Sequence, residues 1–92
     1  MTEVVRKQIY PGERYIKILL MDDYGTGEWV NVSTGEDPTT IAATVETVIN
    51  DKIAEMDGRV AAMESTAAAL NIDLSAQKVA GQAKKDEFRI GT

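Results

Sequence analysis

Three carboxylates surround a glycine-bearing segment, and of all the residues in this chain they have the clearest capacity for chemistry. Asp22 and Asp23 precede Tyr24-Gly25-Thr26-Gly27, and Glu28 follows. Because hard cations such as Ca²⁺ bind several oxygen ligands, the cluster raises the question of a calcium site. However, the spacing fits no calcium-loop pattern, and Asp-Asp followed by Gly is ordinary chemistry for a hairpin turn. We therefore predict a turn here and no metal site.

Nucleophilic and cofactor chemistry find no support elsewhere in the chain. It contains neither His nor Cys, so the commonest general base and the thiolate nucleophile are both absent. Ser33, Ser65 and Ser75 have no His to activate them. The Gly-Thr-Gly stretch is followed by a strand-like segment and not by a helix, so it does not resemble a phosphate cradle. The sequence predicts a protein that is not an enzyme and binds no cofactor.

Charge and length restrict the classes of partner. The chain has 92 residues and a net charge of −5, which repels phosphate backbones and anionic lipid surfaces. No apolar stretch reaches the length of a membrane span, and the first residues do not form a signal peptide. We expect neither a nucleic-acid partner nor a membrane partner. We also expect the protein to be synthesised in the host cytoplasm. Self-association is then the usual support for so small a scaffold.

Alternating patterns predict that the turn connects two strands of a small antiparallel sheet. In YIKILLM, Ile16, Ile18 and Leu20 share one face, and in EWVNVS, Val30 and Val32 alternate with polar residues and Trp. A further strand at 4–10 ends before the turn dipeptide Pro-Gly. Residues 1–36 are thus predicted to form a β module.

The hydrophobic period changes to a helical one after this module. Asp37 is a favourable N-cap, and Pro38 suits the first helical position. Helix is predicted over residues 37–70, since no further Pro interrupts it and Ala is abundant. Asn71 and Asp73 offer a C-cap and a new N-cap, so residues 71–92 are predicted to hold a break and then a weaker second helix or a tail.

A regular apolar stripe runs along the predicted helix with the 4-3 spacing of a coiled-coil seam. Such a stripe is narrower than the face that a helix usually turns toward its own domain core. The fold class predicted is α+β, with the β module followed by a long helix in a parallel trimeric coiled coil. The stripe consists of Ile49, Ile53, Met56, Val60, Met63, Ala67, Leu70 and Leu74.

Charges that flank the stripe favour parallel helices. Lys52 and Arg59 lie on one side of it, and Asp57 and Glu64 lie on the other, five residues further along in each case. In a parallel assembly each cation meets a carboxylate of the neighbouring helix, whereas an antiparallel pair brings like charges together. These four residues and the stripe from Ile49 to Leu70 are the predicted oligomer interface.

The hexapeptide RVAAME, Arg59 to Glu64, resembles the trimer signature of short coiled coils. The resemblance implies that Arg59 crosses the seam toward Glu64 of a neighbour and covers Met63 with its methylene groups. A dimer is the alternative strand number, because β-branched Ile53 and Val60 also suit two strands. An ordinary amphipathic helix that lies on the sheet is the alternative fold.

Two further features leave alternatives open. Ala54, Ala61, Ala62, Ala68 and Ala69 form a smooth outer helix face, which reflects either helix propensity or a surface onto which residues 75–88 fold back. The aromatic residues of the β module either form its core or line a patch for a partner. The candidates for that patch are Tyr10, Tyr15, Tyr24 and Trp29.

The predicted architecture resembles small accessory virion proteins of tailed phages, such as head fibres, capsid decoration trimers and fibre-attachment proteins. The stretch GEWVNVSTGEDPTT, residues 27–40, is similar to the strand-to-stalk junctions of such fibres. The resemblance implies a homotrimer, located in the virion, whose β module docks on another virion protein such as a capsid or tail component. The alternative is a small acidic intracellular regulator or inhibitor that binds a host protein.

Overall fold

The computed structural model describes residues 1–10, 15–33 and 38–90, with side chains excepted at 9–10, 38–42 and 90. Three strands come first: β1 (Glu3–Tyr10), β2 (Tyr15–Met21) and β3 (Gly27–Ser33). Two helices follow, α1 (Pro38–Ala69) and α2 (Ser75–Ile90). The predicted α+β class with a three-stranded antiparallel sheet is therefore confirmed, but the C-terminal half consists of two helices and not of one long helix.

The sheet has the order β1-β2-β3, with both neighbouring pairs antiparallel. Pairing between β2 and β3 is regular from Tyr15 opposite Ser33 to Met21 opposite Gly27. In β1 the register shifts between Val4 and Arg6, which leaves Val5 as a bulge. Val4 and Val5 contribute to opposite faces of the sheet, as successive residues of a strand do.

One face of the sheet packs against α1. Ile18 and Leu20 are fully buried there with Val32 and Met56, as the alternation in β2 and β3 predicts. The partly buried apolar residues of α1 complete this core. They are Val45, Val48, Ile49 and Ile53.

The opposite face packs against α2. Leu19 and Met21 of β2 are buried with Val5, and Phe88 of α2 lies against them. The sheet therefore lies between the two helices. The alternative in which α2 returns to the alanine face of α1 is wrong, because Ala54, Ala61, Ala62, Ala68 and Ala69 stay exposed. On the sheet, α2 packs against branched and large apolar side chains, and these bury more apolar area than the methyl groups of the alanine face do.

The helix ends at the connection between α1 and α2 follow their predicted caps, whereas the predicted N-cap Asp37 lies outside the described residues. Helix α1 begins at Pro38 and ends before Asn71, which adopts a left-handed φ of 57°. Ile72 N–H donates to the Ala67 carbonyl at 2.8 Å, and Asn71 N–H donates to the Ala68 carbonyl at 3.2 Å, which is a Schellman motif. The Asp73 carboxylate accepts from Ser75 N–H at 2.9 Å in the first turn of α2. The Ser75 hydroxyl also donates to this carboxylate, and the two hydrogen bonds, that of the hydroxyl first, lower the pKa of Asp73.

The first half of the predicted coiled-coil seam packs within the chain. Ile49, Ile53 and Met56 contact the sheet core, so this part of α1 is an amphipathic helix on its own sheet. The 32 residues of α1 extend for about 48 Å, whereas the seven residues of β3 extend for about 24 Å. Met56 still packs in the sheet core and Glu64 still contacts the turn between β2 and β3, so only the last turns of α1 extend past that turn.

The α1 face of the sheet should dominate the stability of the fold. Ile18 has no exposed surface, and we expect Ile18→Ala to lower the free energy of unfolding by about 2–5 kcal/mol through lost burial and a cavity. Thr47→Ala on the exposed side of α1 should change it by no more than about 0.5 kcal/mol. Urea unfolding followed by circular dichroism measures both. An equal effect of the two substitutions would contradict this packing.

Candidate functional site

The turn between β2 and β3 is the point where both helices and the sheet meet. Asp22 organises it, since its Oδ1 accepts from Tyr24 N–H at 2.8 Å and from Thr26 N–H at 3.1 Å. Asp22 N–H donates to the Thr26 carbonyl at 3.0 Å. Asp22 is therefore a turn residue, and within the described part of the chain no group of three or more acidic side chains converges to hold a metal ion.

Two glycines allow α2 to approach this turn closely. Gly25 has a left-handed φ of +78°, and a Cβ placed on it would lie 3.1 Å from the Gly81 Cα. A Cβ on Gly81 would lie 2.5 Å from the Asp23 carbonyl oxygen and from backbone atoms of Tyr24. No side chain fits at that distance, so the backbones of α2 and the turn are in direct contact because residue 81 is Gly.

A polar cluster on the other side of the turn joins it to both helices. The Tyr24 hydroxyl donates to Glu64 Oε2 at 2.8 Å, and Lys78 Nζ donates to the same oxygen at 3.3 Å. Lys78 Nζ also lies 5.9 Å from the centre of the Tyr24 ring. Burial, the hydrogen bond to Glu64 and its negative charge raise the pKa of Tyr24 to about 12. Tyr24 is neutral at physiological pH and acts as a hydrogen-bond donor.

Lys85 is the one buried cation among the described residues, with a relative exposure of 2%. Its Nζ lies 3.5 Å from Glu3 Oε1 and 3.6 Å from Asp23 Oδ1. Arg89 also contacts Glu3, and the amino group of Met1 contacts Asp23. Lys85 thus connects α2 to the start of β1 and to the turn.

These contacts shift the titration of both carboxyl groups. Burial opposes ionisation of Glu3, but the hydrogen bond from Arg89 and the charges of Lys85 and Arg89 outweigh it, so the pKa of Glu3 is lowered. The hydrogen bond from the Met1 amino group, with the charge of Lys85, lowers the pKa of Asp23. Each carboxylate is ionised at neutral pH and balances a cation.

The charged residues predicted for the oligomer interface make contacts within the chain. Lys52 lies 3.3 Å from Glu28, and Arg59 lies 3.6 Å from the same carboxylate and also contacts Glu55. These pairs lie at the surface, where solvent screens them, so they add little to the stability of the fold. Asp57 accepts from Thr2 N–H at 2.7 Å, and Glu64 belongs to the Tyr24 cluster. Arg59 and Glu64 therefore have partners inside one chain.

The second half of the predicted seam is divided between buried and exposed residues. Val60 and Ala67 are buried, whereas Met63 is 41% exposed and Leu70 is 64% exposed. Ile72 in the connection between the helices and Val79 in α2 are also exposed, at 51% and 72%. We call these four residues, Met63, Leu70, Ile72 and Val79, the tip patch.

The aromatic candidates do not form one patch. Tyr24 belongs to the turn, whereas Trp29 lies on the sheet face away from α1 and is 45% exposed. Tyr15 is half-buried at the start of β2, opposite Ser33. Tyr10 lies opposite Tyr15 in the register, and its side chain falls outside the described residues.

Sequence reasoning missed the importance of Gly81 and Lys85. These residues and Phe88 lie on one face of α2 at helical spacing, and that face contacts the turn and the sheet. A glycine inside an otherwise helical segment is a signal of close packing. No pattern in the sequence predicts the burial of Lys85, because a lysine between polar neighbours is usually exposed to solvent.

Comparisons with protein-family models, curated proteins and solved structures found no match to this chain. Within the described residues, neither helix has the length and apolarity to span a membrane. Function has to be argued from the contacts and exposed surfaces of the molecule itself.

The close contact at Gly81 leads to a prediction with a matched control. Gly81→Ala forces α2 away from the turn, and we expect it to lower the free energy of unfolding by about 1–3 kcal/mol through overpacking. Gly58→Ala has open space around the added methyl group and should raise it by up to about 1 kcal/mol through helix propensity. Denaturant unfolding measures both, and stabilisation by Gly81→Ala would contradict the contact.

The ion pairs of Lys85 make the docking of α2 sensitive to acid. Because the pKa values of Glu3 and Asp23 are lowered in the folded protein, their ionisation stabilises the fold. This stabilisation is complete above their ordinary pKa values of 4.5 and 3.8. This stabilisation is lost as the pH falls through the lowered pKa values of the folded state. Lys85→Met should reduce the difference in unfolding free energy between pH 7 and pH 3, measured by denaturant titration at each pH. Lys84→Met removes the same charge from an exposed position and should leave that difference unchanged.

Proposed function

We propose that this protein is a non-enzymatic structural protein that assembles into a homotrimer through the tip patch and docks its β module on another protein. The single observation that carries the proposal is the exposure of Met63, Leu70, Ile72 and Val79 together at one end of the molecule. Several large apolar side chains exposed in neighbouring segments of a small acidic protein favour association with another protein. The architecture supports a place among accessory virion proteins of tailed phages, with a capsid or tail component as the partner.

The shape of the chain supports association at this end. The radius of gyration is 15.5 Å, whereas a compact domain of this length has about 12 Å. The principal extents of 50 × 26 × 15 Å describe an elongated molecule. Since α1 projects past the turn, the tip patch is well separated from the far end of the sheet. Three chains joined at their tips leave their β modules available for a partner.

The remaining seam keeps the spacing of a coiled coil. Met63 and Leu70 are seven residues apart, so they lie on one side of α1 and are two d positions of the heptad. The proposed seam is shorter than the one predicted from sequence, because Ile49, Ile53 and Met56 pack on the sheet. It includes Met63 of the signature RVAAME, and a trimer of the kind that this signature describes requires Arg59 and Glu64 to exchange their partners inside the chain for partners in a neighbouring chain.

The contacts of the acidic residues support a role without catalysis. Asp22 accepts two backbone hydrogen bonds, and Glu3 and Asp23 lie beside Lys85. Glu64 accepts from Tyr24 and Lys78. A general acid or base needs a free position toward a substrate, whereas each of these carboxylates already has a partner in the fold.

Sedimentation equilibrium at tens of micromolar tests the assembly. The wild-type mass should be at least three times the chain mass of 10.0 kDa. Met63→Lys/Leu70→Lys places six ammonium groups around one axis in a trimer, so we expect desolvation and mutual repulsion to remove this association. Ala54→Lys/Ala61→Lys adds the same charge on the exposed outer face of α1 and should leave the mass unchanged.

Sedimentation with virus-like particles then tests the docking role. Wild type and the control variant should sediment with the particles, and the tip variant should not, because three weak contacts gain from high effective concentration. A wild-type monomer refutes the assembly, and a dimer that the tip substitutions dissociate refutes only the number of chains. A one-to-one complex with a soluble host enzyme establishes the alternative role as a regulator.

A further inference from the structure

The two edges of the sheet differ in how they are protected from pairing. The β1 edge carries the bulge at Val5 and the cationic residues Arg6 and Lys7, which are features that oppose the addition of a strand. The β3 edge has a regular register throughout and contains no Pro, no Lys and no bulge. Glu28 is its only charged residue. One edge of this sheet is thus blocked and the other is open.

We propose that β3 pairs with β3 of a second copy of this chain, antiparallel about Val30, to form a continuous six-stranded sheet. The inference goes beyond the tip assembly and does not depend on it, because it concerns the backbone edge of the sheet. The occupant is a second copy because β3 is complementary to itself, as its register and its side chains both indicate.

The register follows from the symmetry of the strand. Gly27–Ser33 extends three residues to either side of Val30, so every residue of one β3 finds a partner in the other. In this register, Val30 lies opposite Val30 of the second copy, and residues of the same face lie opposite each other. The α1 helices of both copies then lie on one face of the joined sheet, and both apolar cores remain on that face.

The side chains of the open edge fit this register. Trp29 is 45% exposed in one chain and comes to lie opposite Asn31 of the second copy. The two Trp29 residues become diagonal neighbours across the two-fold axis, at a distance that aromatic rings can span. Glu28 lies opposite Val32 of the second copy, so no like charges face each other.

The flank of α1 on the β3 side also allows two copies to approach. Lys52 and Arg59 lie on this flank and contact Glu28 of β3, and Glu55 pairs with both cations. Two positive and two negative charges balance there. The residues that give each chain its net charge of −5 therefore lie outside the proposed contact.

Sedimentation equilibrium of an edge variant tests the pairing. Trp29→Lys/Asn31→Lys places lysines opposite lysines of the second copy, which is the kind of edge protection that β1 already has. The edge variant should have half the mass of the wild type at tens of micromolar. Ala54→Lys/Ala61→Lys carries the same added charge and should keep the wild-type mass. Circular dichroism establishes that each variant is folded.

Hydrogen exchange provides a second, residue-level readout. The β3 amides that point away from β2 should exchange slowly in the wild type and at the rate of exposed amides in the edge variant. A folded edge variant with the wild-type mass, or fast exchange of those amides in the wild type, overturns the proposal.

The tip and edge associations fail independently. Met63→Lys/Leu70→Lys should leave a dimer of twice the 10.0 kDa chain mass, held by the β3 edges. The edge variant should keep the tip assembly, and the combination of all four substitutions should yield the monomer. If the tip variant is a monomer while the edge variant keeps the wild-type mass, the edge proposal fails and the tip proposal stands.

Discussion

The contact of Gly81 with the turn between β2 and β3 is the constraint on which the rest of this structure depends. A methyl group at residue 81 would lie 2.5 Å from the backbone of Asp23 and Tyr24, so α2 reaches its position only without one. That position brings Lys85 to Glu3 and Asp23 and brings Phe88 onto the second face of the sheet. The turn is thereby held between two helices, and a sheet of three short strands is covered on both faces.

The docking of α2 relies on charge more than on apolar area. Phe88 is the apolar side chain that α2 contributes to the cluster on its face, whereas Ile49, Ile53 and Met56 are among those that α1 contributes to the other. Lys85 adds a contact of a different kind, because a buried cation that is paired with two carboxylates favours one orientation of the helix. The two helices are therefore attached by different forces, and acid weakens one attachment more than the other.

The apolar stripe of α1 serves two purposes along its length. Where the sheet lies beneath the helix, the stripe belongs to the core of the chain, and where the helix extends past the turn, Met63 and Leu70 remain exposed. The length of α1 relative to the strands creates this division. The open β3 edge is a second surface of a different kind. In the proposed pairing, its backbone N–H and C=O groups bind the partner, and not its side chains alone. Both surfaces support the proposal of a role in assembly.

Local patterns in the sequence determined the elements and much of the core. Alternation in β2 placed Ile18 and Leu20 on the α1 face. Pro38 marked the start of α1, and Asn71 and Asp73 marked the corner between the helices. Sequence patterns were sufficient here because each of these signals acts within a few residues. Only the tertiary structure decided what covers the stripe of α1, since a 4-3 spacing is compatible both with a neighbouring helix and with a sheet of the same chain. It also decided the roles of Gly81 and Lys85. Their partners in the turn and at Glu3 are some 60 to 80 residues away along the chain, and sequence patterns do not carry contacts over that separation.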